Sequence, residues 1–245
     1  MKNGWPQLGR GLVDTVFPPV CVNCNGLVEH NPEWRHVCPR CVAQMDFVHA
    51  PQCTTCGHPF YGHVIGERLC PHCESLHPAF REGRTAVLLK GAGRALVHGL
   101  KYHRQLHVLT DIAAVFRRSP ALLDFVRDGR LVPVPLHPRK ERERGYNQSL
   151  LLAETLAEVA GGATTVAPIL RRVADTETQT HRDRRERQLN LKNAFALACD
   201  ADINTSQHYL LVDDVFTTGS TLNSCALVLR RAGILNLDVV TFGHG

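Results

Sequence analysis

Long apolar runs are what this 245-residue sequence most plainly lacks. Its opening segment, MKNGWPQLGRGLVDTVFPPV, has no uninterrupted apolar stretch of the length that a signal peptide or a membrane span requires. The apolar residues of this segment recur on one helical face instead, which predicts a short amphipathic helix packed on the protein. We therefore expect a cytoplasmic protein without a membrane span.

Aromatic residues and one common nucleotide-binding motif are also scarce or missing. Aromatics make up 6% of the chain, so platforms on which single-stranded bases could stack are few. No GxxxxGK[ST] segment is present, which excludes an ordinary P-loop ATPase. The net charge of +5 is mildly basic, so it permits a phosphate-rich partner without demanding one.

Cysteine, in contrast, is concentrated: eight of the ten cysteines lie between residues 21 and 73. They form two units, each with two CxxC pairs separated by thirteen residues. A two-residue gap lets both sulfurs of a pair point to one metal ion, so the repeated spacing predicts a double zinc ribbon. The predicted ligands are Cys21, Cys24, Cys38 and Cys41 in the first unit and Cys53, Cys56, Cys70 and Cys73 in the second.

Disulfides and redox-active CxxC motifs are the competing interpretations of these cysteines. A reduced compartment disfavours disulfides, and a thioredoxin-type pair would need a βαβ frame that this turn-rich region does not show. Four thiolates close each site, so the Zn²⁺ is expected to be structural. Asn25 and Gly57 follow the second cysteine of each leading pair, where the turn favours positive φ. The spacing leaves sequential and interleaved ligand pairing open, although the repeat favours sequential pairing.

Downstream of residue 79 the cysteine-rich pattern ends, and the sequence predicts apolar strands that alternate with amphipathic helices. We therefore divide the chain into residues 1–78, the amphipathic helix plus the double zinc ribbon, and residues 79–245. The alternation predicts an α/β domain with a mainly parallel sheet. One helix is expected to begin with Ser149 as its N-cap, and another to end at Gly233.

The segment YLLVDDVFTTGSTL, residues 209–222, carries the most specific chemistry. A buried strand would deliver Asp213 and Asp214 to the carboxyl edge of the sheet, where ligands bind in such folds. The glycine- and hydroxyl-rich turn at the next helix N-terminus suits a phosphate group. The two carboxylates would repel phosphate and suit hydroxyl groups or Mg²⁺. The alternative for an acidic pair alone is a helix-capping turn.

This segment resembles the PRPP-binding fingerprint of type I phosphoribosyltransferases. The resemblance implies that fold, with Asp213 and Asp214 as the catalytic pair holding the ribose hydroxyls of PRPP. It also implies that the loop holds the 5-phosphate through Thr217, Thr218, Gly219, Ser220 and Thr221.

Three further segments, VPVPLHPRKERERGYNQS, LKYH and TQTHRDRRERQLNLKNAF, are similar to segments of the ComF family, which places a double zinc ribbon before a phosphoribosyltransferase domain. The resemblance implies additional PRPP contacts from Pro135, Leu136, His137, Arg139, Lys101, Arg187 and Asn190. The two basic runs could contact nucleic acid through Arg142, Arg144, Arg182, Arg184 and Arg185. For the second run, the alternative is a solvated helix face.

The family resemblance implies a protein that binds Mg-PRPP and is associated with DNA uptake in natural competence. As an enzyme it would be a phosphoribosyltransferase whose acceptor nucleophile the sequence does not identify. The alternative is a non-catalytic module that binds single-stranded DNA or PRPP beside a helicase-like competence partner. Salvage enzymes of the phosphoribosyltransferase superfamily carry a hood, a segment that recognises the base. This chain ends soon after its last predicted strand, so we expect the zinc module to occupy the place of that hood.

Overall fold

A parallel sheet with helices on both faces organises the chain. The computed structural model describes residues 18–29, 31–62, 66, 68–74, 76–174 and 194–245. The predicted N-terminal amphipathic helix and the second basic run, with Arg182, Arg184, Arg185, Arg187 and Asn190, lie outside these residues.

The described helices and strands follow one another in an alternating order. They are α1 (Pro39–Ala43), β1 (Gly83–Leu88), α2 (Gly91–Tyr102), a 3₁₀ turn (Leu106–Val108), α3 (Leu109–Arg117), α4 (Pro120–Val126), β2 (Arg130–Pro133), α5 (Pro138–Arg144), α6 (Gln148–Ala160), β3 (Thr165–Val166), β4 (Leu170–Arg172), β5 (Phe195–Leu197), β6 (Tyr209–Phe216), α7 (Ser220–Arg231) and β7 (Leu237–His244).

Five strands pair in the order β1-β7-β6-β2-β3, and every pairing in this sheet is parallel. Strands β4 and β5 form a separate antiparallel pair. The predicted α/β fold, with a mainly parallel sheet preceded by a cysteine-rich module, is confirmed. The domain boundary near residue 79 stays a prediction.

Side chains alternate along β6 and thereby divide the core into two apolar clusters. Leu210 and Val212 pack into the first cluster with residues of α2, α3 and α6. Tyr209 and Leu211 pack into the second cluster with residues of α7. The cysteines follow the same division, because the first unit contributes to the first cluster and the second unit to the second. Each cysteine unit therefore lies against a different face of one sheet.

The sequence predicts one boundary each of helices α6 and α7. The predicted N-cap Ser149 is wrong: α6 begins at Gln148, and the side chain of Asn147 caps it by accepting from the Ser149 amide at 3.0 Å. Asn147 stands one residue before the helix, where its short amide reaches the first turn. The end of α7 follows the prediction, since Gly233 comes after Ala232 at the helix end and has φ of 88°.

Candidate functional site

Strand β6 carries the acidic pair to the end of the sheet. Leu210, Leu211 and Val212 are fully or almost fully buried, which fixes the strand between its neighbours β2 and β7. Asp213 pairs in register with Thr241 of β7, and only 4% of Asp214 is exposed. The strand's apolar residues thus hold two carboxylates at a position where burial makes charge expensive.

Groups from two helices satisfy these carboxylates. Lys101 Nζ of α2 lies 2.7 Å from Asp214 Oδ2. Ser149 Oγ of α6 donates to Asp213 Oδ1 at 2.9 Å, and the Asp214 amide donates to the same oxygen. Burial and the adjacent Asp214 charge raise the pKa of Asp213 to about 7. Asp213 can therefore gain or lose a proton near neutral pH, which is typical of functional carboxylates.

The loop after β6 has the geometry of an anion-binding turn. Gly219 adopts φ of 69° directly before α7, and no side chain caps this helix. A Cβ at Gly219 would lie 2.7 Å from Phe216 Cζ, so glycine is required by both φ and space. Thr217 and Thr218 are exposed, and Thr218 Oγ1 lies 3.0 Å from Ser220 Oγ. Hydroxyl groups and a helix N-terminus therefore face the same space.

The carboxylates of Asp213 and Asp214 and the Thr217–Thr221 loop line the same cavity, which has a volume of about 310 Å³. Among the predicted PRPP contacts, the structure gathers these around it: Lys101, Pro135, Leu136, Asp213, Asp214, Thr217, Thr218, Gly219, Ser220 and Thr221. Gln148, Ser149 and Arg172 also line the cavity and were not predicted as site residues. His137 and Arg139 are not among its lining residues.

Helix α5 explains the position of those two residues. Residues 138–144 form a short helix capped by His137 Nδ1, which accepts from the Arg139 amide at 3.3 Å. Arg139 Nε lies 3.0 Å from Glu143 Oε1, one helical turn away. Proline in the first turn and Gly145 at the end favour this helix. In the described structure, Arg139 is thus engaged by a carboxylate of its own helix.

The cysteines form the two clusters that the spacing predicts. Within each cluster, the sulfur atoms all lie within 4.8 Å of one another. The first cluster consists of Cys21, Cys24, Cys38 and Cys41, and the second of Cys53, Cys56, Cys70 and Cys73. The ligand sets are therefore sequential and not interleaved. Asn25 and Gly57 have φ of 59° and 74°, as predicted for the turns.

Both clusters fit tetrahedral Zn²⁺ by the chemistry of their donors. Backbone amides donate to sulfur in the same place of each unit, from Cys38 to Cys21 at 3.4 Å and from Cys70 to Cys53 at 3.3 Å. Shared thiol hydrogen bonds lower the pKa of Cys53 and raise that of Cys56. Four sulfurs that converge on one point in each cluster suit a structural zinc ion with no position left for substrate.

Comparison with known proteins identifies related sequences. Residues 12–74 match the family model described as a double zinc ribbon domain. A DNA utilization protein YhgH of Salmonella typhi is 35% identical over 83% of this chain and 86% of its own length. Competence protein F of Haemophilus influenzae is 39% identical over 44% of this chain and 47% of its own. Competence protein ComFC of Bacillus subtilis is 25% identical over 87% and 90%, respectively.

Within the described ranges, no helix combines the length and the apolar character needed to cross a bilayer.

Proposed function

This chain belongs to the ComF family, and on that basis we propose that it binds PRPP with Mg²⁺ and serves in the use of DNA taken up by competent cells. The PRPP assignment rests on one observation: the acidic pair and the hydroxyl-rich loop line the same cavity. We place the protein in the cytoplasm, where its eight clustered cysteines would stay reduced and available to zinc.

The two halves of the cavity suit the two halves of PRPP's ribose 5-phosphate. The Thr217–Thr221 loop offers hydroxyl groups and the positive end of α7 to a phosphate group. Asp213 and Asp214 offer acceptors to vicinal hydroxyls, which an acceptor-only carboxylate binds well. Lys101 neutralises Asp214, so the pair can stay close to an anionic ligand at lower electrostatic cost.

In a transfer reaction, the bond from ribose C1 to pyrophosphate breaks as a nucleophile bonds to C1. Asp213 and Asp214 would orient the ribose and favour the positive charge that develops at C1. Ser149 keeps the Asp213 carboxylate in place through its hydrogen bond. Of the described cavity residues, these two carboxylates fit Mg²⁺, which when bound would neutralise charge on pyrophosphate.

Calorimetric titration with PRPP tests this assignment. We expect the zinc-loaded wild type to bind PRPP in the presence of Mg²⁺ and more weakly without it. The double variant Asp213→Asn, Asp214→Asn keeps the shape of both side chains but should lose binding. Unchanged affinity in the double variant would sink the assignment.

Single-stranded DNA binding is the second candidate function, and an exposed aromatic residue beside the basic helix favours it. Tyr102 is 64% exposed, and the Arg144 guanidinium lies over its ring at 6.0 Å. Arg142 is exposed on the same short helix α5. A base could stack on Tyr102 while these arginines contact phosphates without sequence preference.

The salt dependence of DNA binding tests this candidate. We expect Arg142→Glu with Arg144→Glu to weaken binding of an oligodeoxythymidine and to flatten its dependence on salt concentration. Tyr102→Ala should weaken binding without changing that slope. If neither variant alters affinity, this surface does not bind DNA.

A further inference from the structure

The second cysteine unit lies directly behind the proposed phosphate-binding loop. Leu76 follows this unit, and its amide donates to the Cys73 carbonyl at 3.0 Å. Its Cδ2 atom lies only 3.1 Å from where a Cβ of Gly219 would stand. The loop's glycine is therefore packed against a side chain fixed by a zinc ligand.

A second contact route runs through three rings. His58, next to the Cys53–Gly57 turn, meets His244 edge-on at 4.9 Å between ring centroids. His244 stacks on Phe216 at 5.6 Å. Phe216 is the last residue of β6, and its Cζ is the atom that a Cβ at Gly219 would meet at 2.7 Å. The glycine thus sits between Leu76 and Phe216, both of which are linked to the second unit.

Hydrogen bonds join the same segment to the first turn of α7. The Ala79 amide donates to Asn223 Oδ1 at 2.7 Å, and the Asn223 amide donates to the Gly219 carbonyl at 2.8 Å. Arg230 Nε further along α7 donates to the Ala79 carbonyl at 2.6 Å. The chain leaving the second unit is consequently tied to the helix that the loop begins.

The first cysteine unit has a different anchor. The amides of Arg35 and His36 donate to the two oxygens of Asp111 on α3, at 2.9 and 2.7 Å. This unit packs into the apolar cluster on the opposite face of the sheet. The two units are alike in spacing but unlike in what they support.

We propose that the second cysteine unit is the supporting wall of the Thr217–Thr221 loop and that Leu76 is a positioning residue for anion binding. Zn²⁺ at Cys53, Cys56, Cys70 and Cys73 would hold Leu76 and His58 in place, whereas Zn²⁺ in the first unit would not affect the loop. This role presupposes the phosphate-binding function proposed above for that loop.

Amide hydrogen exchange of the full-length, zinc-loaded protein tests this role without any ligand. Leu76→Ala should retain both zinc ions, yet residues 216–223 should exchange faster than in wild type, because one wall of Gly219 is removed. The affinity for Mg-PRPP should fall about fivefold or more, a typical coupling between adjacent sites. Leu76→Met should keep both the exchange of residues 216–223 and the affinity for Mg-PRPP near their wild-type values, because methionine fills about the same volume as leucine.

The matched control is Leu27→Ala, the same change at an exposed leucine of the first unit. It should leave both the exchange of residues 216–223 and the PRPP affinity at wild-type values. Wild-type exchange and affinity in Leu76→Ala would overturn the proposal, as would equal effects in Leu27→Ala. If the wild type binds no PRPP, the proposed function fails, while the exchange rates still decide the role of Leu76.

Discussion

Replacing Asp213 by Asn is expected to stabilise the fold at neutral pH while weakening the proposed ribose contact. The carboxyl group is partly buried beside Asp214, and burial together with that neighbouring charge raises its pKa to about 7. An Asn side chain keeps an oxygen that can accept from Ser149 Oγ and the Asp214 amide. The substitution therefore removes a charge from the site and preserves its hydrogen bonds.

The size and sign of the effect follow from proton binding. The ordinary pKa of Asp is 3.8, so between about pH 4 and about pH 7 native Asp213 holds a proton that the unfolded chain has released. The wild-type free energy of unfolding therefore falls as pH rises through this window and levels off above it. One pKa unit corresponds to about 1.4 kcal/mol. The shift of the Asp213 pKa from 3.8 to about 7 therefore limits the gain in the free energy of unfolding to about 4 kcal/mol. Because water screens a carboxyl group at a cavity, we expect a gain of about 2 kcal/mol at pH 8.

Urea unfolding of wild type and Asp213→Asn at several pH values between about 6 and about 8.5 measures this difference. Lower pH is avoided, because protonated thiols release zinc. The control is Asp124→Asn, whose carboxylate is 67% exposed and pairs with Arg127 at the surface, so its effect should be small and nearly independent of pH. A stability difference for Asp213→Asn that does not grow from about pH 6 to about pH 7, or a variant less stable than wild type, would contradict a raised pKa of Asp213.

Two further predictions concern the zinc clusters and the loop. Metal analysis of protein purified without chelator should find two zinc ions per chain, and chelation should unfold residues 18–74, because metal binding supplies much of the folding free energy of such modules; a zinc content near zero would contradict this. Gly219→Ala should cost about 1–2 kcal/mol of stability and impair PRPP binding, because φ is 69° and Phe216 Cζ lies 2.7 Å from the added Cβ. Gly145→Ala shares a positive φ of 92° with no atom within 4 Å of its Cβ, so it should show the stability cost alone; equal PRPP binding by the two variants would contradict the assigned packing of Gly219.

The sequence predicted those parts of the fold and site whose chemistry is local. Repeated CxxC spacing predicted eight zinc ligands because the geometry of each pair lies within four residues. The alternation of strands and helices predicted the α/β sheet. Asp213, Asp214 and the loop are contiguous, so their convergence at a sheet edge followed from topology. Lys101 entered only through family resemblance, since a lysine on an amphipathic helix carries no signal of its own.

The parts that could not be predicted depend on contacts between distant segments. Ser149 resembles an N-cap, but the cap is Asn147, and the Ser149 hydroxyl instead reaches Asp213, 64 residues away. Ala79 and Asn223 are separated by 144 residues, so no local pattern indicates that the second cysteine unit supports the loop. Helix α5 was missed because RKERER has no apolar periodicity; its proline and glycine boundaries were the available signal.

Phosphorus NMR of PRPP mixed with the zinc-loaded protein and Mg²⁺ shows whether PRPP binds to this protein. We expect wild type to shift or broaden the 5-phosphate and pyrophosphate resonances, and the Asp213→Asn, Asp214→Asn variant to leave them sharp. Unperturbed resonances with wild type, in protein whose two zinc sites are fully loaded, would contradict a PRPP site in this cavity.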